Sequence, residues 1–273
     1  MKTKSYRRFL CIGIILSHLF IIMCEKNPSE SENEAPVMPP QESMMIDLSG
    51  FSVGGAQSLN KPAIPQTKKH FGLAVGTLTL VNTAIALHLI IPAYIFGRAL
   101  LEDPELQSDG KFHWTYSTKY QLLNYEADLA GWVDVPGSEV NWEMIVTQSK
   151  RKLDHYRWYY GHCNIGATEG GWTFNDVSQP DQQIPVVQID WLVQSETDRM
   201  LVFKNVFEGN ENIGDQLTYQ IDGDSARVQY LDFSEGTTSK IVWHTETIAG
   251  YIQAPNYNEG VPGCWDENQQ DLN

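Results

Sequence analysis

A chain of 273 residues with a formal net charge of −15, 42% hydrophobic residues and eight tryptophans has material for one sizeable core. Its charge makes nucleic acid a poor partner, because binding a phosphate backbone requires Lys and Arg to displace counterions. Electrostatic adhesion to an anionic membrane surface is disfavoured for the same reason.

Residues 1–23 read as an export signal. Lys2, Lys4, Arg7 and Arg8 precede an uncharged run from Phe9 to Met23, the arrangement of a basic start and an apolar core of a secretory signal. The run is shorter than the ~20 residues of a bilayer span.

Cys24 follows Leu19-Phe-Ile-Ile-Met23 and precedes the acidic stretch Glu25-Lys-Asn-Pro-Ser-Glu-Ser-Glu-Asn-Glu34. This resembles the lipobox and tether of bacterial lipoproteins of the Bacteroidota type, with Met23 standing where Gly, Ala or Ser is usual. The resemblance covers the first forty residues and carries no activity. It implies lipidation at Cys24, palmitate or similar acyl chains as the membrane contact, and a place in the cell envelope at the outer membrane or cell surface. Residues 24–41, rich in Glu, Ser, Asn and Pro, are expected to be a disordered tether, since such a composition cannot bury enough apolar surface to offset its ordering entropy. Residues 42–273 are expected to form a single domain.

Phe71 to Gly97 carries no Asp, Glu, Lys or Arg, and its polar residues do not gather on one helical arc. A helix apolar all round must be buried in a core or in a membrane, and Pro92 is expected to kink it or to end its first part at Ile91. We expect one long apolar helix, buried and wrapped by strands. A membrane span is the alternative, disfavoured because it would place Lys68 and Lys69 on the outer side and return the strands to the cytoplasm.

Beyond Gly110 the period becomes two. Phe112, Trp114 and Tyr116 alternate with polar residues, as do Tyr125/Ala127/Leu129, Val140/Trp142/Met144/Val146, Tyr156/Trp158/Tyr160, Trp172/Phe174 and Val187/Ile189/Trp191/Val193. Shorter runs follow at Leu201/Phe203, Leu217/Tyr219/Ile221, Val228/Tyr230 and Ile241/Trp243. This alternation marks half-buried strands. Turn signals stand between them at Pro136-Gly137, Gly166 with Gly170-Gly171, Glu208-Gly209-Asn210, Asp222-Gly223 and Glu235-Gly236. Asp222-Gly223 fits the type I′ hairpin turn, which needs positive φ at both central residues. Roughly ten strands with short connections suggest a mainly β protein, an antiparallel up-and-down meander forming a barrel or half-barrel around the helix. A two-layer β-sandwich is the alternative.

Cys163 and Cys264, the two cysteines left once Cys11 leaves with the signal and Cys24 is lipidated, could pair in an oxidising compartment. Neither belongs to a C-x-x-C pair, so no zinc or redox site is expected. His155, His162 and Cys163 match no metal-ligand spacing. Asp222-Gly-Asp224 lacks the longer calcium-loop pattern, and Gly166-Ala-Thr-Glu-Gly-Gly171 has the wrong spacing for a phosphate loop. There is no G-x-S-x-G. Glu126, Glu143, Asp190 and Glu246 suggest a carboxylate pair for glycoside hydrolysis only weakly, since acidic proteins display such residues on wet faces. No residue is assigned a catalytic role, and no cofactor or metal is expected. Three functions remain open: a lipid-anchored protein binding an apolar or amphiphilic ligand in a curved sheet, a surface carbohydrate-binding module using exposed aromatics, and a structural envelope protein without a ligand.

Overall fold

The computed structural model describes residues 34–48, 51, 66–135 and 137–272. The signal stretch and Cys24 lie outside the described residues, and the compact unit runs from Ala35 to Asn273. Fourteen strands form one sheet in sequence order. They are β1 (Glu105–Leu106), β2 (Phe112–Tyr120), β3 (Leu123–Val133), β4 (Val140–Gln148), β5 (Leu153–Cys163), β6 (Glu169–Asn175) and β7 (Pro185–Ser195). There follow β8 (Asp198–Asn205), β9 (Gln216–Asp222), β10 (Ser225–Asp232), β11 (Thr237–His244), β12 (Gly250–Gln253), β13 (Gly263–Trp265) and β14 (Asp271–Leu272). Every pairing is antiparallel between sequence neighbours. The expected mainly β meander is therefore present. The sheet is not closed: among the described residues β1 and β14 are its two edges. A single sheet also replaces the two-layer sandwich.

Alternation sets the inner face as expected, with two instructive departures. In β5 the pairs Met144↔Tyr159 and Ile145↔Arg157 leave Trp158 as an extra residue. This bulge moves the alternation by one, so Tyr159 rather than Tyr160 is buried beside Tyr156 and Trp158. The β9–β10 turn consists of Gly223 and Asp224, because Asp222 already pairs with Ser225. Only Gly223 has positive φ, at 57°, so the turn lacks the second positive φ of type I′.

Glycines and tryptophans alternate across the inner face in one register. Gly131 lies opposite Trp142, Trp142 opposite Gly161, and Gly161 opposite Trp172. Gly170 faces Trp191, and Gly250 lies between Trp243 and Trp265. A Cβ on Gly131 would stand 2.6 Å from the Trp142 ring, and one on Gly170 2.8 Å from the Trp191 ring. Each indole lies over a strand that has no side chain to block it, the close approach that glycine in a strand permits. Gly170 and Gly171, expected in a turn, are strand residues of β6, and Gly170 is the one that lies under an indole.

The stretch expected as one long apolar helix is helical from Lys69 to Ala99 (α1), but it is neither straight nor wrapped. Its arms, Lys69–Thr83 and His88–Ala99, meet at 64°. The bend lies on the N-terminal side of Pro92, whose ring crowds the carbonyl four residues earlier, and the helix does not end at Ile91. Burial follows a narrow stripe in the first arm, Phe71, Ala74 and Leu78, and a broader face in the second, Leu89, Pro92, Ala93, Ile95, Phe96 and Ala99. Leu80 stands 73% exposed. Among the described residues no single helix is long and apolar enough to cross a membrane.

The two arms reach opposite ends of the sheet. The first packs against β12, β13 and β14, the second against β2 and β3. Phe71 meets Trp265 with ring centroids 5.7 Å apart, and Phe96 meets Trp172 at the same separation. Tyr116 Oη donates to the Ile95 carbonyl (2.5 Å) and Tyr94 Oη to the Lys119 carbonyl (3.0 Å). The N-terminus of α1 has no side-chain cap of its own. Asp271 supplies one from β14, its two oxygens accepting from the Lys69 and His70 amides at 3.0 Å each.

The chain before the helix also enters the core. Met44, Ile46 and Phe51 are buried in the core, and Ala35 and Met38 pack against that core half-buried. Trp172 Nε1 donates to Ser43 Oγ (3.0 Å) and Tyr219 Oη to the Asp47 carbonyl (2.8 Å). Residues 35–41, assigned by composition to the tether, thus lie within the packed unit.

Candidate functional site

The β3–β4 and β5–β6 hairpins project side by side from one rim of the sheet, because β4 pairs with β5 along its length. Between their tips lies a cleft of about 640 Å³ lined by Asp134, Gly137, Ser138, Glu139, Asn141, Asn164 and Ile165. Asp134 is held in place from both sides: Oδ1 accepts from Trp132 Nε1 (2.9 Å) and Oδ2 from Asn141 Nδ2 (3.1 Å). Asn164 is fixed by Thr168, donating to Thr168 Oγ1 (2.8 Å) and accepting from the Thr168 amide (2.9 Å). Beneath the cleft Trp142 Nε1 donates to Cys163 Sγ (3.1 Å).

The lining has two carboxylates, two carboxamides, a hydroxyl and one aliphatic wall at Ile165, and no cation. An anion is therefore unwelcome there. A ligand with several hydroxyl donors meets oriented acceptors, since an ionised carboxylate has about four lone-pair sites and only some are used here. Among the described residues no group of three or more His, Cys, Asp or Glu could hold a metal ion.

The residues singled out from sequence do not converge. Cys24 lies outside the described residues. Cys163 and Cys264 are both free thiols, on β5 and β13, so the disulfide is not formed; Cys163 is buried and Cys264 half-buried. Burial pushes the Cys163 thiol above its ordinary value, against the lowering effect of the Trp142 hydrogen bond. His162 and Cys163, being adjacent in a strand, point to opposite faces, and His155 is exposed beside Asp154 (2.8 Å). Glu126, Asp190 and Glu246 are exposed, while Glu143 is half-buried with Arg157 at 3.9 Å. Glu143 lies opposite Ala130, four residues along β3 from Glu126. At ~3.3 Å per residue their backbones are ~13 Å apart, beyond the ~5–9.5 Å carboxyl separations of glycosidases.

Two clusters escaped sequence reading. His113 Nδ1 lies 2.9 Å from Asp128 and Nε2 3.2 Å from Asp109, joining the hairpin before β2 to β3. Asp109 is held below the usual carboxylate range by the Lys111 amide and, less strongly, by His113. Only the β2–β3 register, with Thr115 opposite Asp128, brings these groups together. The rim cleft was visible in sequence only as the separate turns at Pro136-Gly137 and Gly166.

Seven of the eight tryptophans are buried in the inner face. Trp132 is half-buried on the outer face, with Lys111 Nζ 3.8 Å from its ring centroid. No family model matches the chain, no curated protein matches it, and no solved structure matches its fold.

Proposed function

We propose that this is an exported cell-envelope protein, held to a membrane by acyl chains on Cys24, that binds a hydroxyl-rich ligand such as a glycan in the rim cleft. In this reading the open sheet is a half-barrel filled by its own chain. The observation that carries it is the pairing of that cleft with a filled interior. Met44, Ile46, Phe51, the buried side of α1 and seven tryptophans occupy the inner face, whereas the rim presents oriented acceptors beside an aliphatic wall. Sugar recognition there depends on carboxylates and amides, not on a tryptophan platform.

A second reading, an amphiphile held against the inner face, is favoured by the hydroxyls of Tyr125, Tyr156 and Tyr159. They are buried and have no hydrogen-bond partner, and each such group costs ~1–3 kcal/mol. A bound head group would satisfy them. A glycan array followed by calorimetric titration separates the two. Asp134→Ala and Asn141→Ala should each weaken glycan binding roughly tenfold, the equivalent of about one hydrogen bond. Binding unchanged in both variants overturns the rim site. Stoichiometric lipid in an organic extract of the purified protein would install the second reading in its place.

A further inference from the structure

We infer that the outward face of α1 is a bilayer contact surface, lying in the membrane interface while the sheet stays in water. The inference rests on the membrane-anchored reading of the protein and concerns a different part of it. From His70 to Gly97 there is no Asp, Glu, Lys or Arg in a chain of net charge −15, although much of that stretch is on the surface. In the first arm the exposed positions include Leu73, Gly76, Thr79, Leu80 and Thr83, whose spacing of three, six, seven and ten residues keeps them on one side of a helix. In water such a face ordinarily carries Glu and Lys.

The threonines on this face are already prepared for a dry environment. Thr79 Oγ1 donates to the Val75 carbonyl and Thr83 Oγ1 to the Thr79 carbonyl, both at 2.8 Å. Each hydroxyl is thereby satisfied within the helix and asks nothing of the solvent, as a group entering hydrocarbon must be. Past the bend Ile90 is again exposed. The charges resume at the two ends as cations, Lys68 and Lys69 before the run and Arg98 after it; Lys68 donates to Gln269 (3.3 Å) and Arg98 lies 3.7 Å from Glu102, weak surface pairs that such long side chains can exchange for lipid phosphates.

The occupant is a lipid surface, reached through the uncharged face and the cations that flank it and brought there by the acyl chains, since the net charge of −15 does not by itself draw the chain to an anionic bilayer. The 64° bend and the docking of both arms on the sheet keep the helix in the interface and prevent a straight crossing. The helix is apolar inward, while outward Leu73, Leu80 and Ile90 stand among Thr79, Thr83, Asn82 and His88 with no Asp, Glu, Lys or Arg, a composition that suits the polar-apolar boundary of a membrane interface.

The test uses the full chain in vesicles of phosphatidylethanolamine and phosphatidylglycerol. An environment-sensitive fluorophore is placed at position 80 by Leu80→Cys or at position 208 by Glu208→Cys, each with Cys264→Ser. At position 80 the emission should shift to the blue on adding vesicles, and nitroxide on shallow acyl carbons should quench it; at position 208 neither should occur. Emission at position 80 as red as at 208 overturns the proposal. So does quenching strongest from the bilayer centre, which marks a span, or a blue shift without vesicles that grows with protein concentration, which marks a second copy. Mass spectrometry that finds no acyl chain on Cys24 of the exported protein, with the position-80 signal intact, sinks the acyl anchor alone and leaves the contact surface standing.

Discussion

Gly161 shows how narrowly a single residue is specified. It lies between Trp142 and Trp172 on the neighbouring strands, and a Cβ there would come within 2.1 Å of the Gly171 carbonyl oxygen and 2.6 Å of the Trp172 ring. Backbone cannot yield as a flexible side chain does, so Gly161→Ala should destabilise by ~3 kcal/mol, the upper part of the usual range for overpacking. Gly76 has nothing within 4 Å of its added Cβ and sits in α1. Gly76→Ala should instead stabilise by ~0.5–1 kcal/mol by restricting the unfolded chain and favouring helix. Urea unfolding of the two variants checks both signs, and equal midpoints would show that the Gly–Trp register is not a packing constraint. The tryptophans themselves are plain in the sequence. Their glycine partners are not, because the pairing is made across strands.

At the scale of the element, α1 is anchored by a residue two hundred positions away. Lys68, at its N-cap, makes no side-chain cap bond, leaving amides that Asp271 accepts with both oxygens. A carboxylate at a helix N-terminus combines capping with a favourable interaction with the helix dipole. Asp271→Ala should cost ~1–2 kcal/mol and should loosen the first arm before the sheet. Hydrogen exchange should then rise at Lys69–Leu73 while the amides of β3–β5 remain protected. Uniform loss of protection would mean that the cap and the sheet unfold as one unit. The helix was legible as an uncharged segment, yet its bend and its exposed face were not. Hydropathy reports that Leu73, Leu80 and Phe71 are apolar without saying which of them meets the sheet.

Across the whole molecule, buried tyrosines tie the fold to alkaline pH. The buried Tyr116, Tyr125, Tyr156, Tyr159 and Tyr219 are all held above the ordinary phenol value of 10, chiefly by burial, and so is the more exposed Tyr230, where partial loss of hydration is again the first cause. Tyr230 is pushed up to about 12, with its hydrogen bond to Asp215 adding to the effect of burial. The native state therefore keeps protons that the unfolded chain releases, and stability falls wherever the unfolded state binds fewer of them. The contribution is fully present below pH 10 and is lost as pH rises through the folded values, to about 12 for Tyr230. Tyrosinate absorbance should rise in two stages, exposed phenols first and the buried group only with cooperative loss of circular dichroism. All twelve tyrosines titrating together near pH 10 with the fold intact would contradict this packing.

The sequence by itself determined ten of the fourteen strands, β2–β11, with their antiparallel order and most of their inward faces, and left out the short β1, β12, β13 and β14. Period-two alternation and short polar connections are local properties, and a meander adds only neighbour-to-neighbour pairing to them. Tertiary structure decided everything that depends on a partner distant in the chain or on register. The bulge at Trp158 exchanged Tyr160 for Tyr159, and packing drew residues 35–48 into the core despite the composition of their N-terminal part. Cys163 and Cys264 ended on β5 and β13 as separate free thiols. The rim cleft arose where two hairpin tips of neighbouring strands lie side by side. Each of these outcomes was settled by burial summed over the whole inner face, a quantity that no local window of residues contains.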